Sequence, residues 1–295
     1  MKQNKKHTVI SSANEQSKKF FSGGTFIWSK SQDDIWAEIE SVIAPMPVKK
    51  PTLHINFAKW VAAASIILLI GLVSFMRFYT KDIHTVAGTH LLVQLPDKST
   101  VNLNAQSYVE FHPYWWRFNR EVKFEGEGYF EVEKGKKFTV VSKLGTTKVL
   151  GTSFNIFSRE QVYRVTCLTG KVKVTSKSKH EVILLPNCKA SVNDNGKIEV
   201  FEDIEALPEI SWKNNLFMFT ASPIRDVFKE IERQYGVTIL ANIDNYVLYT
   251  GNFTKDQNVD DILGYICPAL GYKFVNKSAN VYYIIPSDET STPQN

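Results

Sequence analysis

The sequence predicts a single-pass membrane protein whose exported part is an all-β domain followed by a small α/β domain built from repeated βαβ-like units. Three observations predict it. No charge interrupts the 17 residues from Trp60 to Met76, between Lys59 and Arg77. From residue 91 the apolar pattern changes to a period of two, the strand period. Between about residues 212 and 286 an apolar helical stripe recurs after 35 residues, the mark of an internal repeat.

The head, residues 1–56, starts polar, with Lys and Ser prominent over residues 1–25. Ser31-Gln32-Asp33-Asp34 then reads as a capping box, a hydroxyl at the cap and a carboxylate three residues on. Ile35, Trp36, Ile39, Val42 and Ile43 follow on one helical face. The spacing predicts a helix over about 31–44, ended by Pro45 and Pro47, with a proline-rich spacer over 45–56. A helix of about 14 residues is marginal alone, so its stripe needs a cover. Helices that lie on bilayers carry Lys and Arg on the polar face, whereas this one carries Asp33, Asp34, Glu38 and Glu40. Docking to a partner is therefore favoured over membrane docking or self-association. Those five apolar residues are the candidate binding site.

The 17 uncharged residues, inside a predicted span over 57–79, are at the short end of what crosses a bilayer as one helix. Trp60 and Phe78-Tyr79 stand at its ends, where amphipathic rings favour the headgroup zone. It starts too far along to be a cleaved signal peptide, so a retained anchor is expected. Residues 1–59 carry nine Lys and Arg against five Asp and Glu, a net of +4, and the remainder 26 against 25. That asymmetry favours an N-terminus in the cytoplasm, with the region after the span on the far side of the membrane. Topology accounts for the basic balance without nucleic acid.

Many short alternating runs make residues 86–205 an all-β domain. In the clearest one, Val122, Phe124, Phe130 and Val132 alternate with Lys123, Glu125, Glu127, Tyr129, Glu131 and Glu133. Gly126 and Gly128 fall on the apolar side, which predicts a bulge or close backbone packing. The acidic face of Glu121–Glu133 reads as a solvated strand face. In the tail, 212–286, Ile224, Val227, Phe228, Ile231 and Tyr235 form one stripe and Val259, Ile262, Leu263, Ile266 and Leu270 the other. Ser222 with Pro223 and Asn258 with Asp261 read as starters, and Gly236 and Gly271 as C-terminal caps. Strands flank both helices, which should pack against one sheet, and residues 287–295 trail behind.

Cys167, Cys188 and Cys267 are too few for a disulfide framework; Cys167 and Cys267 fall on apolar patterns, as small core hydrophobes do. No His pairs with Cys or carboxylate at metal-ligand spacing, and no phosphate loop, nucleophile elbow or HExxH is present. An enzyme, a cofactor and a metal are not expected.

The residues Leu95-Pro96-Asp97-Lys98-Ser99, Val101-Asn102-Leu103-Asn104-Ala105, Gly126-Glu127-Gly128-Tyr129-Phe130-Glu131-Val132, Val149-Leu150-Gly151-Thr152-Ser153-Phe154-Asn155-Ile156 and Leu168-Thr169-Gly170-Lys171-Val172 come in an order that resembles the FecR-type anti-sigma factors of Bacteroidetes-like bacteria. Trp212 with Leu216 and Phe217 opens a tail similar to the short domain at the N-termini of secretins and TonB-linked receptors. Trp28-Ser29-Lys30-Ser31 fits the same pattern. Lys98 stands where the family has Gly, Gly128 where Ala is usual, and Asn187-Cys188 where a Gly follows Pro186; the head is shorter than in many relatives. The resemblance implies that the head holds an extracytoplasmic-function (ECF) sigma factor, while the exported part senses the signalling domain of a TonB-dependent outer-membrane receptor. The competing reading is a membrane-anchored periplasmic scaffold or binding protein without sigma control, which would have no use for the amphipathic head helix.

Overall fold

A computed structural model describes residues 29–43, 56–193, 195–244, 246–278 and 280–288. The polar stretch over 1–25, Trp28, Pro45, Pro47, the spacer before Asn56 and the tail after residue 288 lie outside the described residues.

Helix α1 spans Gln32–Val42. The Asp34 N–H donates to Ser31 Oγ at 3.2 Å and the Ser31 N–H to Asp34 Oδ2 at 3.2 Å, so the capping box closes both ways and satisfies two N-terminal donors. The Ile43 N–H donates to Ile39 O at 2.8 Å and ends the helix, before the prolines are reached. Helix α2, Phe57–Phe78, has 22 residues and contains an 18-residue stretch of mean hydropathy 2.2, long and apolar enough to cross a membrane. None of its residues is buried.

The β domain begins at Lys81, ahead of residue 86, because Ile83 already packs on its core. Its strands are β1 (Lys81–His84), β2 (Leu91–Gln94), β3 (Thr100–Leu103), β4 (Tyr108–Phe111), β5 (Arg120–Glu131), β6 (Phe138–Val141), β7 (Gly145–Val149), β8 (Ser153–Arg159), β9 (Val162–Cys167), β10 (Val172–Ser176), β11 (Glu181–Leu184), β12 (Cys188–Val192) and β13 (Ile198–Phe201). The long strand β5 organises them. Its first half pairs with β4 and β6, and its second half, from Gly126, with β3 and β8. One arm runs β6-β7-β10-β11 and the other β8-β9-β12-β13.

Gly126 is the turning point between the two halves. Its φ is +105°, and a Cβ there would lie 2.6 Å from Ser107 Cα, so only glycine fits. Gly128 backs onto the Phe124 ring, which leaves no room for an alanine Cβ at 2.9 Å. The core draws Val122, Phe138 and Val140 from one half and Val101, Phe154 and Ile156 from the other. Cys167 is buried among them, as its pattern predicted.

Two departures from the family pattern show their cost in backbone angles. Lys98 and Asn187 hold φ of +73° and +61°, the left-handed region a glycine enters freely and asparagine tolerates better than lysine. Below the Pro96-Asp97 turn, the Arg120 guanidinium pairs with Asp97 and donates to Lys136 O at 2.5 Å and Glu133 O at 3.0 Å.

The tail follows a 3-10 turn, Pro208–Asn214, that buries Trp212. Its elements are β14 (Leu216–Pro223), α3 (Ile224–Tyr235), β15 (Thr238–Ala241), β16 (Leu248–Thr254), α4 (Val259–Ala269), β17 (Tyr272–Ser278) and β18 (Val281–Pro286). Both predicted stripes face inward: Ile224, Val227, Phe228 and Ile231, and Val259, Ile262, Leu263 and Ile266, are buried. The expectation of a single sheet is corrected. β14 pairs antiparallel with β16, while β15 and β17 flank β18, so there are two small sheets. Only β15–β18 is parallel in this domain, and it joins the two repeats rather than lying within one. Asn258 caps α4, its Oδ1 accepting from the Asp261 N–H at 2.7 Å. Pro223 is itself the cap of α3 and Ser222 does not cap it. Pro268 stands one residue before the end of α4.

Candidate functional site

Two places in the chain have the character of binding sites. The first is the α1 face. Helical spacing sets Ile35, Trp36, Ile39, Val42 and Ile43 together along one side. Ile35 is half-buried and the other four are exposed, Trp36 at 61 %. No residue of α1 is buried. An exposed aromatic–aliphatic stripe on a capped helix is the form of a groove-docking ligand. Lys30 pairs with Glu38 at 2.8 Å across the polar side.

The second is the junction between the β domain and the tail. Tyr129 and Glu127 leave β5 on the face that the sequence pattern assigned to solvent. That expectation is corrected: both are buried. Tyr129 packs into the tail's core with Trp212, and Lys213 Nζ lies 3.5 Å above its ring. Strand periodicity alone marks this face as polar; the tail covers its second half.

Around Glu127 the two domains share a buried polar network. Its Oε2 accepts from Asn104 Nδ2 at 2.8 Å and its Oε1 from Asn155 Nδ2 at 3.1 Å. Asn104 Oδ1 accepts from Gln234 Nε2 at 2.7 Å, across to α3. Gln234 Nε2 also donates to Glu230 Oε1 at 2.8 Å, and its Oε1 lies 3.0 Å from His90 Nε2. Arg233 clamps Glu230 at 2.8 Å, and its carbonyl accepts from the Gly88 N–H at 2.8 Å. Lys229 meets Glu160 at 2.5 Å at the rim. Neutral amides carry most of the network, as a dry interface requires.

Burial pushes the Glu127 carboxyl well above the usual range, and the negative charge of Glu230 pushes it further; Arg159, Asn155 and Asn104 oppose. A protonated Glu127 also suits its surroundings. Asn155 Oδ1 is buried without a partner, and turning that amide over would offer it to the carboxyl proton. Burial lowers the His90 pKa, against the hydrogen bond that His90 donates to Gln234.

Beside the network lies a cleft of about 600 Å³, between the β8, β9 and β12 faces and strand β14. Arg164 stacks over Phe157 at 4.5 Å, and Lys189 pairs with Glu209 at 2.7 Å. Residues Phe217 to Thr220 of β14 line the opposite wall. Among the described residues, β14 has a partner strand on one side only. An open strand edge over a mixed-charge floor can take an extended peptide by strand addition. Among the described residues, no group of three or more His, Cys, Asp and Glu is placed to hold a metal ion.

Sequence reasoning singled out neither Asn104, Glu230 and Gln234 nor the burial of Glu127. A signal existed in α3. Glu230 and Gln234 follow Val227 at i+3 and i+7, so two polar side chains interrupt the apolar stripe.

Comparison with known proteins places these sites in context. The family described as "FecR protein" matches residues 81–173, and that described as "FecR, C-terminal" matches residues 216–284. Two crystal structures of a candidate anti-sigma factor from Parabacteroides distasonis ATCC 8503, at 1.65 Å and 2.50 Å resolution, superpose on this chain with TM-scores of 0.64. Identities are 27 % and 28 %, covering 70 % of this chain and 99 % of theirs. None of the curated proteins matches.

Proposed function

The chain belongs to the FecR family of anti-sigma factors, and from that premise we propose that it holds an ECF sigma factor at the inner membrane and relays a periplasmic signal from a TonB-dependent outer-membrane receptor. The observation that carries the reading is α1: a capped helix with Ile35, Trp36, Ile39, Val42 and Ile43 along an uncovered face, ahead of the helix apolar enough to cross a bilayer. In this reading α2 spans once, and the head, residues 1–56 with a net charge of +3, stays in the cytoplasm. The α1 face docks on the sigma factor with Trp36 as its aromatic anchor. The two domains that follow α2 bind and do not catalyse, and need neither cofactor nor nucleic acid. The open edge of β14, over the cleft, is the place for a strand of the receptor's signalling domain.

The test is removal of residues 31–44 from the full chain, with transcription from sigma-dependent promoters as the readout. Transcription should rise to the level seen without the chain. Unchanged repression would remove α1 from the mechanism. Alkaline phosphatase fused after residue 90 should be active and after residue 50 inactive; the reverse pattern would sink the orientation and the role with it.

A further inference from the structure

The loop between β4 and β5 concentrates aromatic and basic side chains: Tyr114-Trp115-Trp116-Arg117-Phe118. One of them explains itself. Trp116 is buried, its ring edge-on to Phe111 and Phe138 at 5.7 Å each. It pins the loop to the core of the β domain. The Phe118 and Asn119 N–H groups both donate to Trp115 O, at 2.9 and 3.2 Å, and hold the turn in shape. The remaining rings are not used by the core. Phe118 is 68 % exposed and Tyr114 51 %, and Trp115 leans on Phe118 at 4.5 Å. A rigid turn that presents large apolar rings to water needs something to cover them.

The contacts of the loop say what covers it. The Tyr114 ring lies 5.8 Å from Phe75 and 5.3 Å from Tyr79. The Arg77 guanidinium lies 5.6 Å over the Trp115 ring, and His112 Nδ1 is 3.1 Å from Tyr79 O. The loop is thus laid along the last turn of α2. At 1.5 Å per residue, Phe75 stands about 4.5 Å inside the helix end at Phe78. If α2 fills the hydrocarbon, a ring beside Phe75 is at the boundary of acyl chains and headgroups, the zone that tyrosine and tryptophan favour.

Resting on the reading of α2 as a span, we propose that residues 112–119 are a second membrane contact of this chain: an aromatic wedge that seats Tyr114, Trp115 and Phe118 in the outer leaflet beside the helix. The occupant is the lipid surface, because the wedge is continuous with the span. Arg77, Lys81 and Arg117 bring positive charge to the same end of the chain, which favours anionic headgroups. Only Tyr79 and Thr80 separate α2 from β1. Helix and wedge together make a two-point mount, and the β domain cannot swivel freely about the helix axis. A partner that tilts the exported part would then act on the helix directly.

The test is spin-label accessibility on the full chain in nanodiscs of phosphatidylethanolamine and phosphatidylglycerol. The background is Cys188→Ser, since Cys167 and Cys267 are buried. Labels go on Phe118→Cys, on Ile70→Cys inside α2, and on Ile183→Cys, exposed on β11. The ratio of oxygen to nickel-chelate access should be lipid-like at 118 and 70 and aqueous at 183. Adding Tyr114→Ser and Trp115→Ser should cause a several-fold loss of the lipid signature at 118 and none at 70. A lipid-like signal at 70 with an aqueous one at 118 overturns the wedge and leaves the span standing. Aqueous signals at both overturn the span and the wedge together. A label at 118 unmoved by the two serines overturns the role of those rings.

Discussion

Glu127→Gln should remove most of the pH dependence of the junction between the β domain and the tail. The Glu127 pKa is pushed from 4.5 up to about 7, chiefly by burial and then by Glu230. Between those values the folded chain keeps a proton that the unfolded chain has given up. The contribution to stability is therefore complete below pH 4.5, falls as pH rises, and is gone above pH 7. At about 1.36 kcal/mol per unit, wild type loses roughly 2 to 3 kcal/mol between pH 5 and pH 8 from this one group. His90 works in the opposite direction, because its lowered pKa favours the folded state as pH rises. It is present in both chains, so the difference between wild type and Glu127→Gln isolates Glu127. Glutamine keeps one acceptor for Asn104, and its amide can donate to the orphaned Asn155 Oδ1 once that side chain turns over. The assay is urea unfolding of the two domains that follow α2, Lys81–Pro286. With an m-value of about 2–3 kcal/mol per molar, raising the pH from 5 to 8 should lower the midpoint of wild type by roughly 1 M more than that of Glu127→Gln. At pH 8 the substituted chain should be at least as stable as wild type. Equal pH shifts in the two chains would refute the protonated Glu127.

Trp36→Ala should weaken sigma-factor binding by about 2 kcal/mol or more, while Asp33→Asn, an exposed charge, should cost about 1 kcal/mol at most; titration of residues 1–56 against the purified sigma factor measures both, and equal affinity for Trp36→Ala would exclude this face. Leu263→Asp and Phe228→Asp each place an unpaired charge in the tail's core and should unfold it, read by proteolysis and circular dichroism; a soluble, folded double mutant would contradict the packing described. Arg120→Ala strands Asp97 and the carbonyls of Glu133 and Lys136, and should lower stability by about 3–5 kcal/mol in thermal melting. A loss below about 1 kcal/mol would mean that water replaces the guanidinium.

The regular parts of this fold were legible because short-range rules govern them. The capping box at Ser31 and Asp34, the cap of Asn258 and the glycines after both tail helices depend on neighbours a few residues apart. The stripes of α3 and α4 could be read because a helix of 11 or 12 residues repeats its period three times. Gly126 was legible as a break and not as a crossing, since its role depends on Ser107, far away in the chain. The α1 residues were legible for the reason that makes them a candidate site: among the described residues, none buries them and alters what periodicity says.

What sequence by itself determined, then, was the succession of apolar helix, β region and α/β tail, the apolar stripes of α1, α3 and α4, and the resemblance to one family. What only the tertiary structure decided was which polar faces meet. Glu127 and Tyr129 share their strand face with Glu125 and Glu131, and a period of two treats all four alike. The tail covers the first two and leaves the others exposed. The same packing joins Asn104 to Gln234 across 130 residues of chain and splits the tail's strands into two sheets. The physical reason is range. Backbone periodicity and caps are set within a few residues, whereas the desolvation that changes Glu127, or the helix end that gives the loop at 112–119 its neighbour, comes from segments distant along the chain. No local pattern encodes that distance.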